Sequence, residues 1–145
     1  MSRTSDVAVI GAGVFGAWTA LQLRRSGQSV TLVDAFGAGN TRSSSGGASR
    51  GLRIGYGRET IYSEWAQRSR AAWQELFRDG RHELFTQTGV LWMARPDDAS
   101  ANATIETLRR LRVPCEILGR PELEQRYPQF NFGPITRGVL EPEAG

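Results

Sequence analysis

The chain has 145 residues, of which 39% are hydrophobic and 23% are charged, and its formal net charge is +3. This length is typical of about one domain, and this composition is typical of a folded globular protein rather than a disordered one. The mild positive charge falls short of the basic stripe that nucleic-acid binding needs, so we expect no nucleic-acid partner.

The first predicted elements are a β-strand, an α-helix and a second β-strand. Residues 7–10 are a short apolar run between Asp6 and Gly11, which is typical of a buried parallel strand. Residues 14–26 carry apolar side chains at helical spacing, and residues 30–34 are rich in β-branched side chains. Together they predict one βαβ unit of the usual size.

The next stretch, residues 37–57, is rich in glycine, serine and arginine, and this composition predicts a long polar loop. A helix is then predicted from near Thr60 to just before Gly80. Its apolar side chains share one face, which we expect to belong to the core. The face consists of Ile61, Trp65, Ala66, Ala72, Trp73, Leu76 and Phe77.

Shorter elements are predicted over the rest of the chain. The first two strands are alternatively one bent strand, and the longer helix would bury Ile105, Leu108 and Leu111. The elements are strands at residues 84–85 and 90–93, a helix over residues 96–112, a strand at residues 115–118 and a short helix at residues 121–126.

Single residues bear on the compartment and on other kinds of site. One cysteine, Cys115, cannot form an internal disulfide, so we expect a cytoplasmic location and a buried apolar role for this side chain. Arg24 and Arg25 interrupt the apolar run near the N-terminus, so we expect no membrane span. His82 has no partner motif and is expected to be structural, and no metal-ligand cluster is found.

The turn after the first strand has the sequence Gly-Ala-Gly-Val-Phe-Gly, at residues 11–16. Between a strand and a helix, this spacing is the fingerprint of a dinucleotide site. The first glycine permits the tight turn, the second lets the backbone approach a pyrophosphate, and the third lets helix and strand pack closely. Asp34, eighteen residues after Gly16, lies where a carboxylate accepts hydrogen bonds from an adenosine ribose and repels the 2′-phosphate of NADP.

FAD and NAD share the adenosine diphosphate half, so the fingerprint leaves both cofactors open. A nicotinamide enzyme should continue into another helix and a third apolar strand. This chain continues instead into the polar loop at residues 37–57, which favours an elongated cofactor under that loop and therefore FAD. An NAD-dependent dehydrogenase and a nucleotide-binding module without catalysis remain as alternatives.

Two motifs resemble those of a known family. They are the N-terminal fingerprint that ends in Val-Asp-Ala and the sequence Ser-Ser-Gly-Gly-Ala-Ser-Arg-Gly-Leu-Arg-Ile-Gly-Tyr-Gly at residues 44–57. Phe-Thr-Gln-Thr-Gly-Val-Leu at residues 85–91 and Glu-Pro-Glu-Ala-Gly at residues 141–145 support them. On these residues, the chain resembles the FAD-dependent D-amino-acid-oxidase-like superfamily, and within it the branch of monomeric sarcosine oxidase and N-methyl-tryptophan oxidase.

This resemblance implies an α/β, Rossmann-like FAD-binding fold over residues 1–80 and the start of an α+β substrate domain over residues 81–145. It implies oxidation of an amine or N-methyl amino acid, with a hydride passing from the carbon beside the nitrogen to flavin N5. Molecular oxygen would accept the electrons and give hydrogen peroxide. The branch often has histidine where this chain has Gly46 and Gly47, so the resemblance assigns no substrate.

The resemblance also implies roles for two loop arginines, Arg50 and Arg53, which match residues near the flavin ring and the substrate carboxylate. A fixed cation favours the anionic reduced flavin, and an arginine fork suits a carboxylate, so both are predicted catalytic residues. The alternative is a solvated loop, or one that pairs with Glu59. The predicted cofactor-binding residues are Gly11, Ala12, Gly13, Val14, Phe15, Gly16, Asp34, Ala35, Ser44, Ser45 and Arg50.

The family's chains are much longer than this one. Residues 141–145 look like the entry to a strand that does not follow, so we expect a fragment without the C-terminal portion of the same fold. A two-stranded βαβ unit cannot make the sheet that covers a dinucleotide. We therefore expect residues 1–145 alone to bind FAD weakly and to show no turnover.

Overall fold

The computed structural model describes residues 4–78 and 84–145, and the chain divides into two compact units, Met1–Arg50 and Gly51–Gly145. His82 lies outside the described residues, so its structural role stays a prediction. The functional boundary predicted at residue 80 also stays a prediction.

The first unit is a βαβ unit. Strand β1 is Val7–Ile10, helix α1 is Val14–Arg25 and strand β2 is Val30–Val33. The two strands are parallel, with Val7 opposite Val30 and Ile10 opposite Val33. A crossover helix is how a short chain joins two parallel strands, so the predicted βαβ unit is confirmed.

The second unit is an antiparallel sheet with helices. Its three strands lie in the order β3-β5-β4, so the last strand in the chain occupies the centre of the sheet. With the first unit, this arrangement confirms the predicted mixed α/β fold. The elements are α2 Thr60–Arg78, β3 Val90–Ala94, α3 Ala99–Arg110, β4 Glu116–Gly119, α4 Arg120–Arg126 and β5 Arg137–Glu141.

Two apolar clusters form the core of the second unit. Alternation along β5 explains them, because Val139 belongs to one cluster while its neighbour Leu140 packs against the other. The first cluster consists of Ile54, Ile105, Leu108, Val113 and Val139, and the second of Leu118, Leu123 and Phe132. The predicted burial of Ile105 and Leu108 is therefore confirmed, while Leu111 is half-buried against the first cluster.

Three expectations are wrong. Residues 84–85 form no strand, and β5 is a strand that the sequence did not predict. The apolar face of α2, which was expected to belong to the core, is open at Ile61 and Trp65. These side chains are 47% and 54% exposed, because the described part of the chain covers that face incompletely.

In the described part of the chain, no helix combines the length and the apolar character that a membrane crossing needs.

Candidate functional site

The glycine turn between β1 and α1 has the geometry that its fingerprint predicts. Gly11 has a φ of +100°, a conformation that side chains disfavour. A Cβ atom at Gly16 would lie 2.9 Å from the carbonyl carbon of Gly11 and overlap the carbonyl oxygen. Backbone conformation at Gly11 and packing at Gly16 therefore explain why both ends of the turn are glycine.

Gly13 is different, because nothing in the described part of the chain requires a glycine there. Its φ of −70° suits any residue, and a Cβ atom would meet only the Cβ atom of Ser43, at 4.0 Å. Gly13 is also the N-cap of α1, and no side chain among residues 4–78 and 84–145 caps the helix. The open space and the uncapped N–H groups fit a pyrophosphate, so the residues present fit the predicted dinucleotide.

Asp34 is held by the backbone on two sides. Its Oδ2 atom accepts a hydrogen bond from the N–H of Ala12 at 2.7 Å, and its Oδ1 atom accepts one from the N–H of Phe36 at 2.8 Å. These two bonds, the one from Ala12 first, hold the pKa of the Asp34 carboxyl below its usual value. The strand end and the glycine turn are thus joined by an ionised carboxylate.

Asn40 organises the loop after β2, and sequence reasoning missed it. Its side-chain amide donates to the carbonyl of Gly37 at 2.7 Å and to Asp34 Oδ1 at 3.4 Å. Its side-chain oxygen accepts from the N–H of Arg42 at 3.0 Å. The signal that could have found it is an asparagine among glycines, which is typical of a side chain that shapes a turn.

The other predicted cofactor-binding residues of the first unit are largely open. Phe15 is 88% exposed, and Ala35 is exposed after β2. The Ser44 and Ser45 hydroxyls form no hydrogen bond with the described residues. Arg50 is exposed and donates to the Ser49 carbonyl at 2.6 Å. The structure thus brings Asp34 to the turn at residues 11–16 and leaves Phe15, Ala35 and Arg50 exposed.

Arg53 lies in the second unit and is held by aromatic rings. Its guanidinium carbon is 4.2 Å from the ring centre of Tyr56 and 4.4 Å from that of Trp92, and Nη1 donates to the Gly55 carbonyl. Such contacts fix a cation that stays charged. Neither Arg53 nor Arg50 pairs with Glu59 in the described parts of the chain, so the ion-pair alternative is wrong.

A cavity of about 300 Å³ opens beside Arg53. Tyr56 and Trp92 line it with apolar rings, and Ser100 and Thr104 of α3 add hydroxyl groups. Asp98, which lies beside the start of α3, also lines the cavity. Volumes of this size are at the lower end of small-molecule sites, where apolar rings and a few placed polar groups are typical. The arrangement can hold a small organic anion against the guanidinium.

Glu141 accepts hydrogen bonds from Gly55 and Trp92, which line this cavity, and it was not predicted as a site residue. It ends β5, is 2% exposed, and accepts hydrogen bonds from the N–H groups of Ile54 and Gly55 and from the indole of Trp92. It belongs to the short motif at residues 141–145, which was the only available signal. The position of its partners far away in the chain could not be read from that motif.

Cys115 is half-buried and packs against the first apolar cluster. Burial raises the pKa of its thiol, which disfavours the reactive thiolate at neutral pH. These observations agree with the predicted role as a small apolar side chain. Among residues 4–78 and 84–145, no group of side chains is arranged to hold a metal ion.

The chain is similar to known flavoenzymes over its whole length. The monomeric sarcosine oxidase of Bacillus sp. (strain B-0618) is 33% identical over 146 residues, which cover 100% of this chain and 37% of that protein. The N-methyl-L-tryptophan oxidase of Salmonella arizonae is 26% identical over 97% of this chain and 38% of that protein. The chain thus spans less than half the length of these relatives.

The fold is shared with solved structures. The crystal structure of L-proline dehydrogenase from P. horikoshii matches with a TM-score of 0.84 at 22% identity, over 100% of this chain and 38% of that chain. Residues 6–145 match the DAO family, which is described as FAD dependent oxidoreductase. This match decides between FAD and NAD, because the family uses FAD. The chain belongs to the DAO family of FAD-dependent oxidoreductases.

Proposed function

We propose that this chain supplies the dinucleotide cradle and the substrate-carboxylate site of an FAD-dependent amine or amino-acid oxidase. The observation that carries the proposal is Arg53, which lines a cavity, lies over two aromatic rings and has no carboxylate partner among the described residues. A guanidinium offers paired N–H donors that match the two oxygens of a carboxylate. An amino-acid substrate would bring that carboxylate.

The first unit would hold the adenosine diphosphate half of FAD. The backbone at Gly13 leaves space for the pyrophosphate, and the first N–H groups of α1 donate to it. Asp34 would accept hydrogen bonds from the ribose, and the N–H group of Ala12 keeps its carboxylate ionised and oriented. The remaining proposed contacts are Gly11, Val14, Phe15, Gly16, Ala35, Ser44, Ser45 and Arg50.

The chemistry that FAD would supply is acceptance of a hydride at N5 from the carbon beside the amine nitrogen, followed by reoxidation by oxygen to give hydrogen peroxide. We propose Arg50 as the cation that favours the anionic reduced ring, as the resemblance implies. The space left by the missing side chain of Gly47 is occupied by the Arg50 guanidinium. Arg53 would orient the substrate through its carboxylate.

We propose an amine or N-methyl amino acid as substrate and molecular oxygen as electron acceptor. The names of the relatives support this class, because one is a sarcosine oxidase and another an N-methyl-L-tryptophan oxidase. We propose the cytoplasm as the compartment, supported by the single cysteine.

The test is peroxide release by the complete enzyme that carries this chain, over a panel of N-methyl amino acids, free amino acids and amines without a carboxylate. Removing one partner of a charged pair costs about 2–5 kcal/mol. Arg53→Ala should therefore lower kcat/KM for amino acids by about 30- to 4,000-fold while FAD stays bound.

The matched control is Arg58→Ala, which removes an exposed arginine five positions along the chain and should leave kcat/KM unchanged. Amines without a carboxylate should be oxidised equally by the Arg53→Ala variant and the parent enzyme. Unchanged oxidation of amino acids by Arg53→Ala would contradict the proposed role.

A further inference from the structure

The strongest unused feature of the second unit is Glu141, a carboxylate that is 2% exposed. Burying a carboxylate is costly unless hydrogen bonds or a cation compensate for the lost water. In the described residues, no cationic side chain forms an ion pair with it. Its compensation comes from N–H donors instead, and their positions determine what the carboxylate can do.

Two of these donors are backbone N–H groups of the residues that directly follow Arg53 in the chain. Glu141 Oε2 accepts from the N–H of Ile54 at 2.8 Å, and Oε1 accepts from the N–H of Gly55 at 3.1 Å. The carbonyl of the same Gly55 accepts from the Arg53 guanidinium. The backbone that follows Arg53 is therefore tied to the end of β5.

The second connection runs through Trp92. Glu141 Oε1 accepts from the indole Nε1–H at 2.9 Å, and the Arg53 guanidinium lies 4.4 Å from the centre of a Trp92 ring. One carboxylate thus anchors both the residue whose carbonyl accepts from Arg53 and a ring that supports its guanidinium. Two fixed contacts leave a long, flexible side chain far less freedom.

Close packing around Gly55 makes this arrangement specific. A Cβ atom at Gly55 would lie 2.8 Å from Glu141 Oε1 and 2.7 Å from Thr104 Cγ2. The backbone therefore approaches the carboxylate more closely than any side chain would allow.

We propose that Glu141 is a positioning residue that holds Arg53, through Gly55 and Trp92, in the orientation that receives a carboxylate ligand. The proposal rests on the proposed function for the ligand itself. The positioning of Arg53 by Glu141 is a separate statement, and it can be measured without the ligand.

The variant that tests it is Glu141→Gln, in which an NH₂ group replaces one acceptor oxygen and faces an N–H donor. The matched control is Glu143→Gln, two positions along the chain from Glu141. It removes a half-buried carboxylate that pairs with Arg70. Both variants lose one negative charge. Only the first breaks the hydrogen bonds that reach Arg53.

The readout is the NMR shift of the Arg53 side-chain protons, which ring currents from Tyr56 and Trp92 displace from ordinary arginine values. Glu141→Gln should remove most of this displacement, and Glu143→Gln should leave it in place. Displacement retained in Glu141→Gln would overturn the proposal. If Glu141→Gln does not fold, Glu141→Asp, which keeps both oxygens but withdraws them by one methylene, is judged by the same criterion.

A second measurement separates positioning from folding in the complete enzyme. Because the substrate would bind in a displaced pose, KM for an N-methyl amino acid should rise about 10-fold in Glu141→Gln. FAD content, and the oxidation of an amine without a carboxylate, should stay at the parent level. Equal losses for both kinds of substrate would show a general structural role and overturn the proposal.

Titration of the parent chain with acetate distinguishes failure of the proposed function from failure of this inference. Acetate should shift the Arg53 Nε–H resonance, whereas methylammonium should not. One outcome is that acetate has no effect while Glu141→Gln still removes the ring-current shift of Arg53. In that case the carboxylate role of Arg53 is wrong and its positioning by Glu141 stands. If acetate shifts Arg53 equally in the parent chain and in Glu141→Gln, the positioning is wrong.

Discussion

Gly13 and Gly16 lie three residues apart, yet the structure gives them different reasons to be glycine. An added methyl group at Gly13 meets only open space, so Gly13→Ala should change the free energy of unfolding by less than about 1 kcal/mol. The same methyl group would occupy the space of the pyrophosphate and weaken FAD or ADP binding by about 1–3 kcal/mol. Unfolding in denaturant and titration calorimetry measure the two effects.

Gly16→Ala is the matched variant, because its methyl group would overlap the Gly11 carbonyl. It should lower the free energy of unfolding by at least about 1–3 kcal/mol, whether or not nucleotide is present. A Gly13→Ala variant that binds nucleotide as well as the parent would show that no pyrophosphate lies against this residue.

Asp34 predicts a dependence of stability on pH. Its pKa is lowered in the folded protein, so its hydrogen bonds contribute stability above the unfolded pKa of about 3.9 and lose it as the pH falls below that value. Asp34→Asn should therefore be less stable than the parent at pH 7, and the difference should shrink towards pH 3. Urea unfolding at both pH values measures it, and a difference that is independent of pH would contradict the assignment.

At the scale of single residues, the sequence predicted contacts between residues that lie close together in the chain. Gly11 and Gly16 contact each other across one turn, and their spacing contains that information. Glu141 is 87 positions from Ile54 and 49 from Trp92, so its hydrogen bonds depend on how distant strands and loops come together. No spacing rule connects such positions, and the site residues at this distance were missed.

At the scale of elements, the start of α3 offers a clean test. Asp98 is the N-cap, and its side chain accepts from the N–H groups of Ser100 and Ala101 at 2.9 Å. Asp98→Ala should lower the free energy of unfolding by about 0.5–2 kcal/mol, because two donors lose their partner. Thermal or denaturant unfolding of the second unit measures the loss.

Asp97→Asn is the control, since it removes one negative charge at the residue that directly precedes Asp98. Asp97 has a φ of +58°, which asparagine tolerates well, so its substitution should change stability by less than about 0.5 kcal/mol. Equal losses in the two variants would mean that charge, rather than the cap, stabilises the helix start.

Helices were predicted more accurately than the sheet of the second unit. The periodicity of α2 indicates a helix and an apolar face, but it does not indicate what covers that face, and Trp65 is 54% exposed. Strand β5 has only two adjacent apolar residues, Val139 and Leu140, between glycine and charged residues. It is a strand because β3 and β4 pair with it on both sides, which is a tertiary effect.

At the scale of the whole molecule, the two units differ in how much core each contains. The second unit has both apolar clusters, whereas the buried hydrophobic residues described in the first unit are Ala12 and Ala20. Residues 51–145 expressed alone should therefore unfold cooperatively, and residues 1–50 alone should not, because two strands are marginal by themselves. Circular dichroism and tryptophan fluorescence test this. Non-coincident transitions for residues 51–145 would contradict it.

The central position of β5 also determines when the second unit can form during synthesis. Among residues 4–78 and 84–145, β3 and β4 do not pair with each other and each pairs with β5, so this three-stranded sheet cannot assemble until residue 141 has left the ribosome. At roughly 5–20 residues per second, several seconds pass between the synthesis of β3 and that of its partner β5. Chaperone contact with the nascent chain is therefore expected to concentrate on β3 in that interval.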